Sequence, residues 1–157
     1  MNAGLNTPRE TGPQEKSGAG FSLFELLITL TVVAIIASIA IPSWRAHLLT
    51  SRRTEAVAML LQLANRQEQF RLQQQRYATT DELTAMPPAG LGIVNMGERY
   101  ILTTTTGDQR FTAFARVDAT GTQADDLDCW LFGIDESGRR WSENSAGQIT
   151  TTRCWRG

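Results

Sequence analysis

Residues 18–44 read GAGFSLFELLITLTVVAIIASIAIPSW, and a single acid, Glu25, stands near the head of the run. From Leu26 to Trp44 no residue is charged. An α-helix rises about 1.5 Å per residue, so roughly 20 residues cross a hydrocarbon core of about 30 Å. The segment 21–41 meets that length, and Leu, Ile, Val and Ala dominate it with no polar stripe. A helix that is apolar all round belongs in a membrane or deep inside protein. Nothing else in the chain is apolar enough to bury it, so the segment predicts a membrane-spanning helix. A carboxylate in such a place is expensive and by default implies a function.

Two plainer readings compete. A cleaved secretory signal has an apolar region of about 7–15 residues behind a positive stretch. Here the run is longer, and Arg9 and Lys16 are balanced by Glu10 and Glu15, although Ser38-Ile39-Ala40 has the small residues of a cleavage site. A simple single-span anchor is the other reading. Neither accounts for Glu25.

Gly20-Phe21-Ser22-Leu23-Phe24-Glu25-Leu26 resembles the type IV pilin signature: a small residue, then Phe, then Glu at the fifth position of the mature chain. An apolar helix follows, with Pro42 where many pilins carry a helix-breaking proline. The resemblance implies a prepilin. Residues 1–20 would be a leader, removed between Gly20 and Phe21 by a membrane-embedded aspartic peptidase that also N-methylates Phe21. Residues 21–44 would be the transmembrane and filament-core helix. Residues 45–157 would be the periplasmic or extracellular globular domain, including an amphipathic second half of the helix. The implied partners are other pilin subunits in a homo- or hetero-oligomeric filament, the prepilin peptidase/N-methyltransferase and the inner-membrane assembly platform. The implied location is the bacterial inner membrane before assembly, then a filament in the periplasm and outside the cell.

The resemblance also implies a role for Glu25. Cleavage creates an α-ammonium on Phe21, and in the apolar core of a filament Glu25 of a neighbouring subunit supplies its counter-charge. A paired buried charge is tolerated where an unpaired one costs several kcal/mol, so Glu25 would set the axial register. The leader departs from the family: it is longer than the usual pilin leader and not clearly basic. Its Pro8, Gly12, Pro13 and Gly18 predict disorder.

Beyond the span, Ala56, Leu60, Leu63, Phe70 and Tyr77 recur at spacings of three, four or seven, one face of a helix, while Glu55, Arg66, Arg71 and several glutamines take the opposite side. One long helix is expected over about 22–76, with Pro42 kinking or locally melting it because proline lacks an N–H and clashes with the preceding turn. Residues 80–97 hold Pro87, Pro88, Gly90, Gly92 and Gly97 and read as a loop with one short helical turn. Strand signals follow at 99–106, at 109–118 with Phe111, Ala113, Ala115 and Val117 on one face, at 128–135, and at 139–142. The expected fold class is α+β, a long N-terminal helix whose second half packs on an antiparallel sheet of three or four strands; the resemblance implies that this is the type IV pilin fold.

Cys129 and Cys154 are the only cysteines. An even count outside the cytosol points to a disulfide, with two free buried thiols as the alternative. The bond would close a loop of about 25 residues, worth roughly 3.5 kcal/mol in the chain-entropy model. In pilins a C-terminal disulfide staples a variable surface region to the sheet, and this pattern resembles the PilE-like minor-pilin branch.

A net charge of -1 argues against general nucleic-acid binding and leaves only local basic patches. One histidine, His47, and two cysteines far from it weaken any metal-enzyme or Ser-His or Cys-His reading. No catalytic residue, metal or cofactor is expected, and the chain does not read as an enzyme. Asp125, Asp126 and Asp128 lack the spacing and glycine of an EF-hand loop and read as a solvated acidic loop. Arg139, Arg140, Trp141, Arg153, Trp155 and Arg156 mix cations with aromatics. Such a mixture suits a subunit interface, the reading the sequence favours, and it can also grip nucleic acid by stacking and phosphate contact. The resulting expectation is a type IV pilus subunit, minor rather than major, assembled for adhesion, twitching motility or DNA uptake. Two alternatives stand beside it: a DNA-binding or adhesive pilin receptor, and a pseudopilin of a type II secretion system, against which the disulfide pattern speaks.

Overall fold

The computed structural model describes residues 21–93 and 99–155. The leader, with Gly20, and Arg156 lie outside the described residues. The chain divides after Ala40 into two units. In the first, helix α1 (Leu23–Gln74) begins. It carries an 18-residue window of mean hydropathy 2.5, none of it buried in protein, and is long and apolar enough to cross a membrane. Its few hydroxyls bond back to the helix: Thr29 Oγ1 donates to Leu26 O, Thr31 Oγ1 to Leu27 O and Ser38 Oγ to Ile35 O. These groups therefore make no demand on an apolar surrounding. Pro42 lies inside α1.

In the second unit, α1 buries Ala56, Met59, Leu60, Leu63, Gln67 and Phe70. Met59 and Gln67 join the expected face, while Tyr77, expected on it, is buried beyond the end of the helix. The helix ends at Gln74 because Gln75 takes φ 58, the left-handed conformation that closes a helix, with its N–H on Arg71 O at 2.9 Å. A 3₁₀ turn over Thr80–Glu82 is the short turn expected in the following loop. Strands β1 (Tyr100–Gly107), β2 (Arg110–Val117), β3 (Leu131–Asp135) and β4 (Arg140–Glu143) form one antiparallel sheet in sequence order. A four-residue helix, α2 (Thr151–Cys154), closes the described chain.

Alternation along the strands decides which side chains meet the helix. Phe111, Ala113, Ala115 and Val117 of β2 and Phe132 and Ile134 of β3 are buried in one cluster with the α1 face. The two alanines keep the middle of that surface shallow. Each large aliphatic or aromatic side chain so buried contributes about 1.5–3 kcal/mol. Arg110, Thr112, Phe114 and Arg116 alternate onto the outer face.

Two expectations need correction. The third strand starts at Leu131, not at 128. Residues 127–129 turn instead, with the Cys129 N–H bonded to the Asp126 carboxylate at 3.3 Å. The acidic stretch is not wholly solvated: Asp126 is 2% exposed and takes both ends of the Arg53 guanidinium, at 2.7 and 2.8 Å.

Candidate functional site

At the N-terminus, Phe21 is 79% exposed and Glu25 lies in the first turn of α1. Among the described residues, Glu25 has no ion-pair partner within its own chain. The side chains around it, Leu23, Phe24, Leu26 and Leu27, are all exposed large apolar groups. A carboxylate in such company is costly in an apolar surrounding and is a candidate for function.

The second candidate region is the C-terminal end, which the Cys129–Cys154 disulfide organises. The expected bond is present, and it ties α2 to the segment entering β3. Trp155, one residue beyond α2, packs edge-on against Phe132 at 6.0 Å and donates its indole N–H to Trp141 O at 2.6 Å. Arg140 lies over the Trp155 ring at 5.5 Å. Arg153 pairs with Asp128 at 2.9 Å.

Trp141 and Arg139 belong to a different face. Successive residues of a strand point to opposite sides. Arg140 pairs with Ile134 and Trp141 with Gly133, so Trp141 falls on the outer face of the sheet. There its ring lies against Gly133, where a Cβ would collide with the indole. Phe114 meets it edge-on at 5.9 Å and 83°, and Arg139 sits over it at 5.8 Å. The turn that presents Arg139 is held by Asp135. Burial pushes its carboxyl up, but hydrogen bonds from the Ser137 hydroxyl and the N–H groups of Arg139 and Ser137 outweigh this and hold it below its ordinary value.

The arginine–tryptophan set is thus gathered at one end of the sheet but divided between its two sides, with Arg156 outside the described residues. Phe114 and Gly133 were missed. Strict alternation around Phe111, Ala113, Ala115 and Val117 was the available signal for an outward Phe114. Gly133 carried none, because its role depends on the strand beside it. Among the described residues no group of three or more His, Cys, Asp or Glu side chains is arranged to hold a metal.

The model of the prokaryotic N-terminal methylation motif matches residues 16–41. The model described as type IV minor pilin ComP, DNA uptake sequence receptor, matches residues 42–132, more than half of the chain. The chain belongs to this minor pilin family. It is also similar to the type II secretion system core protein G of Aeromonas hydrophila, with 26% identity over 69 residues, 44% of this chain and 48% of that protein. The corresponding protein of Dickeya chrysanthemi is 24% identical over 68 residues, 43% of this chain and 44% of that protein. The chain spans about half the length of the curated relatives it matches. A solved type IV pilin from Shewanella oneidensis superimposes with a TM-score of 0.46 at 20% identity, over 68% of this chain and 97% of the other.

This pilin therefore combines a methylation-motif helix, a four-stranded sheet and a disulfide-held C-terminal region. These are structural elements of a filament subunit.

Proposed function

We propose that this minor pilin is processed, inserted into a type IV pilus and used there to receive DNA. The observation that carries the reading is the match of residues 42–132 to the family of DNA uptake sequence receptors. In this reading residues 1–20 are the leader, residues 21–44 the span and filament-core helix, and residues 45–157 the exterior domain. Cleavage between Gly20 and Phe21 leaves an N-methylated Phe21. Glu25 answers the ammonium of a neighbouring subunit. Pro42 removes one backbone donor from α1 near the point where the span gives way to the exterior domain. The subunit waits in the bacterial inner membrane, is taken up by the assembly platform, and ends in the filament.

DNA then meets the arginines of the C-terminal end: Arg139, Arg140, Arg153 and Arg156. Residues 21–157 contain no lysine, and their basic side chains are arginines apart from His47; the planar fork of arginine matches phosphate oxygens better than a lysine ammonium does. Local patches suffice, since phosphate contact dominates nucleic-acid affinity even where net charge is near zero.

Two measurements test this. Mass spectrometry of sheared filaments should find a chain starting at N-methylated Phe21; a mature start at Met1 or after Ala40 sinks the processing step. Duplex binding by the full chain in micelles should weaken strongly when Arg139, Arg140 and Arg153 are changed together to Gln. Unaltered binding sinks the receptor step. The similarity to two secretion-system core proteins keeps a pseudopilin as the second reading. Recovery in a secretion pseudopilus, and not in sheared pili, would favour it.

A further inference from the structure

We propose that the outer face of the sheet is a platform for single-stranded DNA, with Trp141 and Phe114 stacking on unpaired bases and Arg110, Arg116 and Arg139 meeting the phosphates. The inference extends the DNA-reception reading and rests on it for the class of ligand. It concerns the outer face of the sheet, which shares only Arg139 with the duplex contact proposed above, and a different form of DNA.

The face is built by register. Thr103, Phe114, Gly133 and Trp141 form one continuous cross-strand row over all four strands. Gly133 has no side chain, and the indole of Trp141 occupies the room a Cβ would fill. Trp141 is thereby laid on the sheet instead of standing off it. Phe114 walls one side of the ring at 5.9 Å. Both rings are half-buried, so they are anchored yet still reach solvent. A planar guanidinium, that of Arg139, already lies over the indole. It occupies the side a planar base would take, and it is a long side chain that can swing to a phosphate.

The surroundings suit a polyanion. Arg110 and Arg116 flank Phe114 on the same face of β2 and are exposed. Arg116 has no ion-pair partner among the described residues, and Arg110 has only Glu136 at 3.8 Å, its side chain 80% exposed. Among the described residues, the acids on this side are Asp135, occupied by its own turn, Glu136, and Glu143 at the far end of the row that contains Arg116. Thr103, Thr105 and Thr112 supply hydroxyls between the cations. Aromatic rings beside arginines on a sheet face recognise bases whose faces are free. In a duplex those faces are hidden by stacking, so this platform selects unpaired strands.

The test uses the full chain in detergent micelles, labelled with 5-fluorotryptophan and titrated with an oligothymidylate of roughly 15 nucleotides, long enough to cover a single-strand site. The ¹⁹F resonance of Trp141, identified by its loss in Trp141→Phe, should shift on titration. Phe114→Leu should weaken oligothymidylate binding about tenfold while leaving blunt duplex affinity unchanged. Arg116→Gln, an exposed and fold-neutral change, should lower the slope of log affinity against log salt by about 0.7. An intact disulfide and unchanged circular dichroism confirm folding of each variant. If duplex binds but oligothymidylate leaves the Trp141 resonance still, the platform is overturned and the receptor reading stands. If oligothymidylate binds equally well to Phe114→Leu and Arg116→Gln, the platform is overturned as well. If the Trp141 resonance moves with protein concentration and not with DNA, the face is a subunit contact and the inference fails. If wild-type chain binds neither form of DNA, both readings fall together.

Discussion

Gln67 shows how one side chain can hold a fold. It is fully buried, yet its amide pairs with both backbone groups of Ala78: Nε2 donates to Ala78 O at 2.8 Å, and Oε1 accepts from Ala78 N at 2.8 Å. It thus staples the chain leaving α1 back onto the helix. Gln67→Leu keeps the volume but strands two buried backbone groups, so a loss of about 2–4 kcal/mol is expected in chemical denaturation. Gly133 acts by absence. Gly133→Ala drives a methyl into the Trp141 ring, and overpacking of this kind costs about 1–3 kcal/mol. The near-ultraviolet circular dichroism should change while the disulfide still forms. Glu82 offers a pH signature. Its hydrogen bonds from Arg76, first, and from the Thr79 N–H hold its carboxyl down at about 2, against 4.5 for the free group. A depressed carboxylate stabilises the fold fully above the unfolded value and ceases to do so as pH falls through the folded one. Acid titration of Glu82→Gln should therefore lack the part of the stability loss that wild type shows between pH 4.5 and about 2.

At the scale of elements, the segment between β2 and β3 is latched to α1 by polar contacts. Arg52 donates to Thr122 O at 2.8 Å, Gln123 Nε2 to Leu49 O at 3.1 Å, and Arg53 grips Asp126 with two hydrogen bonds. The Arg53 and Asp126 side chains are only 13% and 1% exposed. Removing one partner of a buried pair leaves an uncompensated charge, so Asp126→Ala should cost about 3–5 kcal/mol. Hydrogen exchange should locate the opening in residues 118–128. Replacing both partners by well-packed apolar residues should cost far less, because neither charge is then stranded. The edge strand β1 is treated similarly: Thr80 Oγ1 donates to Thr104 O at 2.8 Å and accepts from Thr104 N at 2.9 Å. This covers backbone groups that would otherwise pair with another chain.

For the whole molecule, the question is what joins one copy to the next. The expected outcome for Glu25→Gln separates assembly from the earlier steps. Cleavage should survive, since the scissile bond lies outside the altered residue. Membrane insertion should survive or improve, because an amide costs less in lipid than a carboxylate. Entry into filaments should fall, because an incoming ammonium then meets no counter-charge. Comparing membrane and sheared-filament fractions checks it: equal recovery in filaments removes the assembly role, and a defect confined to cleavage makes Glu25 a peptidase determinant instead.

Local periodicity was enough for much of this protein. An uncharged run of membrane length can only be a helix, apolar positions at helical spacing place Leu60, Leu63 and Phe70 on one face, and period-two alternation turns Phe111 and Val117 inward. Two cysteines, Cys129 and Cys154, have one pairing available. The methylation signature is local as well, a string of adjacent residues. What the sequence did not show depends on partners far along the chain. Gln67 looked like any other surface glutamine until Ala78 and Thr104 came within reach. Asp126 belonged to an acidic run until Arg53, 73 residues earlier, met it in the interior. The arginine–tryptophan cluster looked like one patch, yet strand pleating sends Arg140 and Trp141 to opposite faces, and only the pairing of β4 with β3 sets the indole over Gly133. A polar or glycine residue takes its meaning from what lies across from it, and that is decided when the sheet closes against the helix.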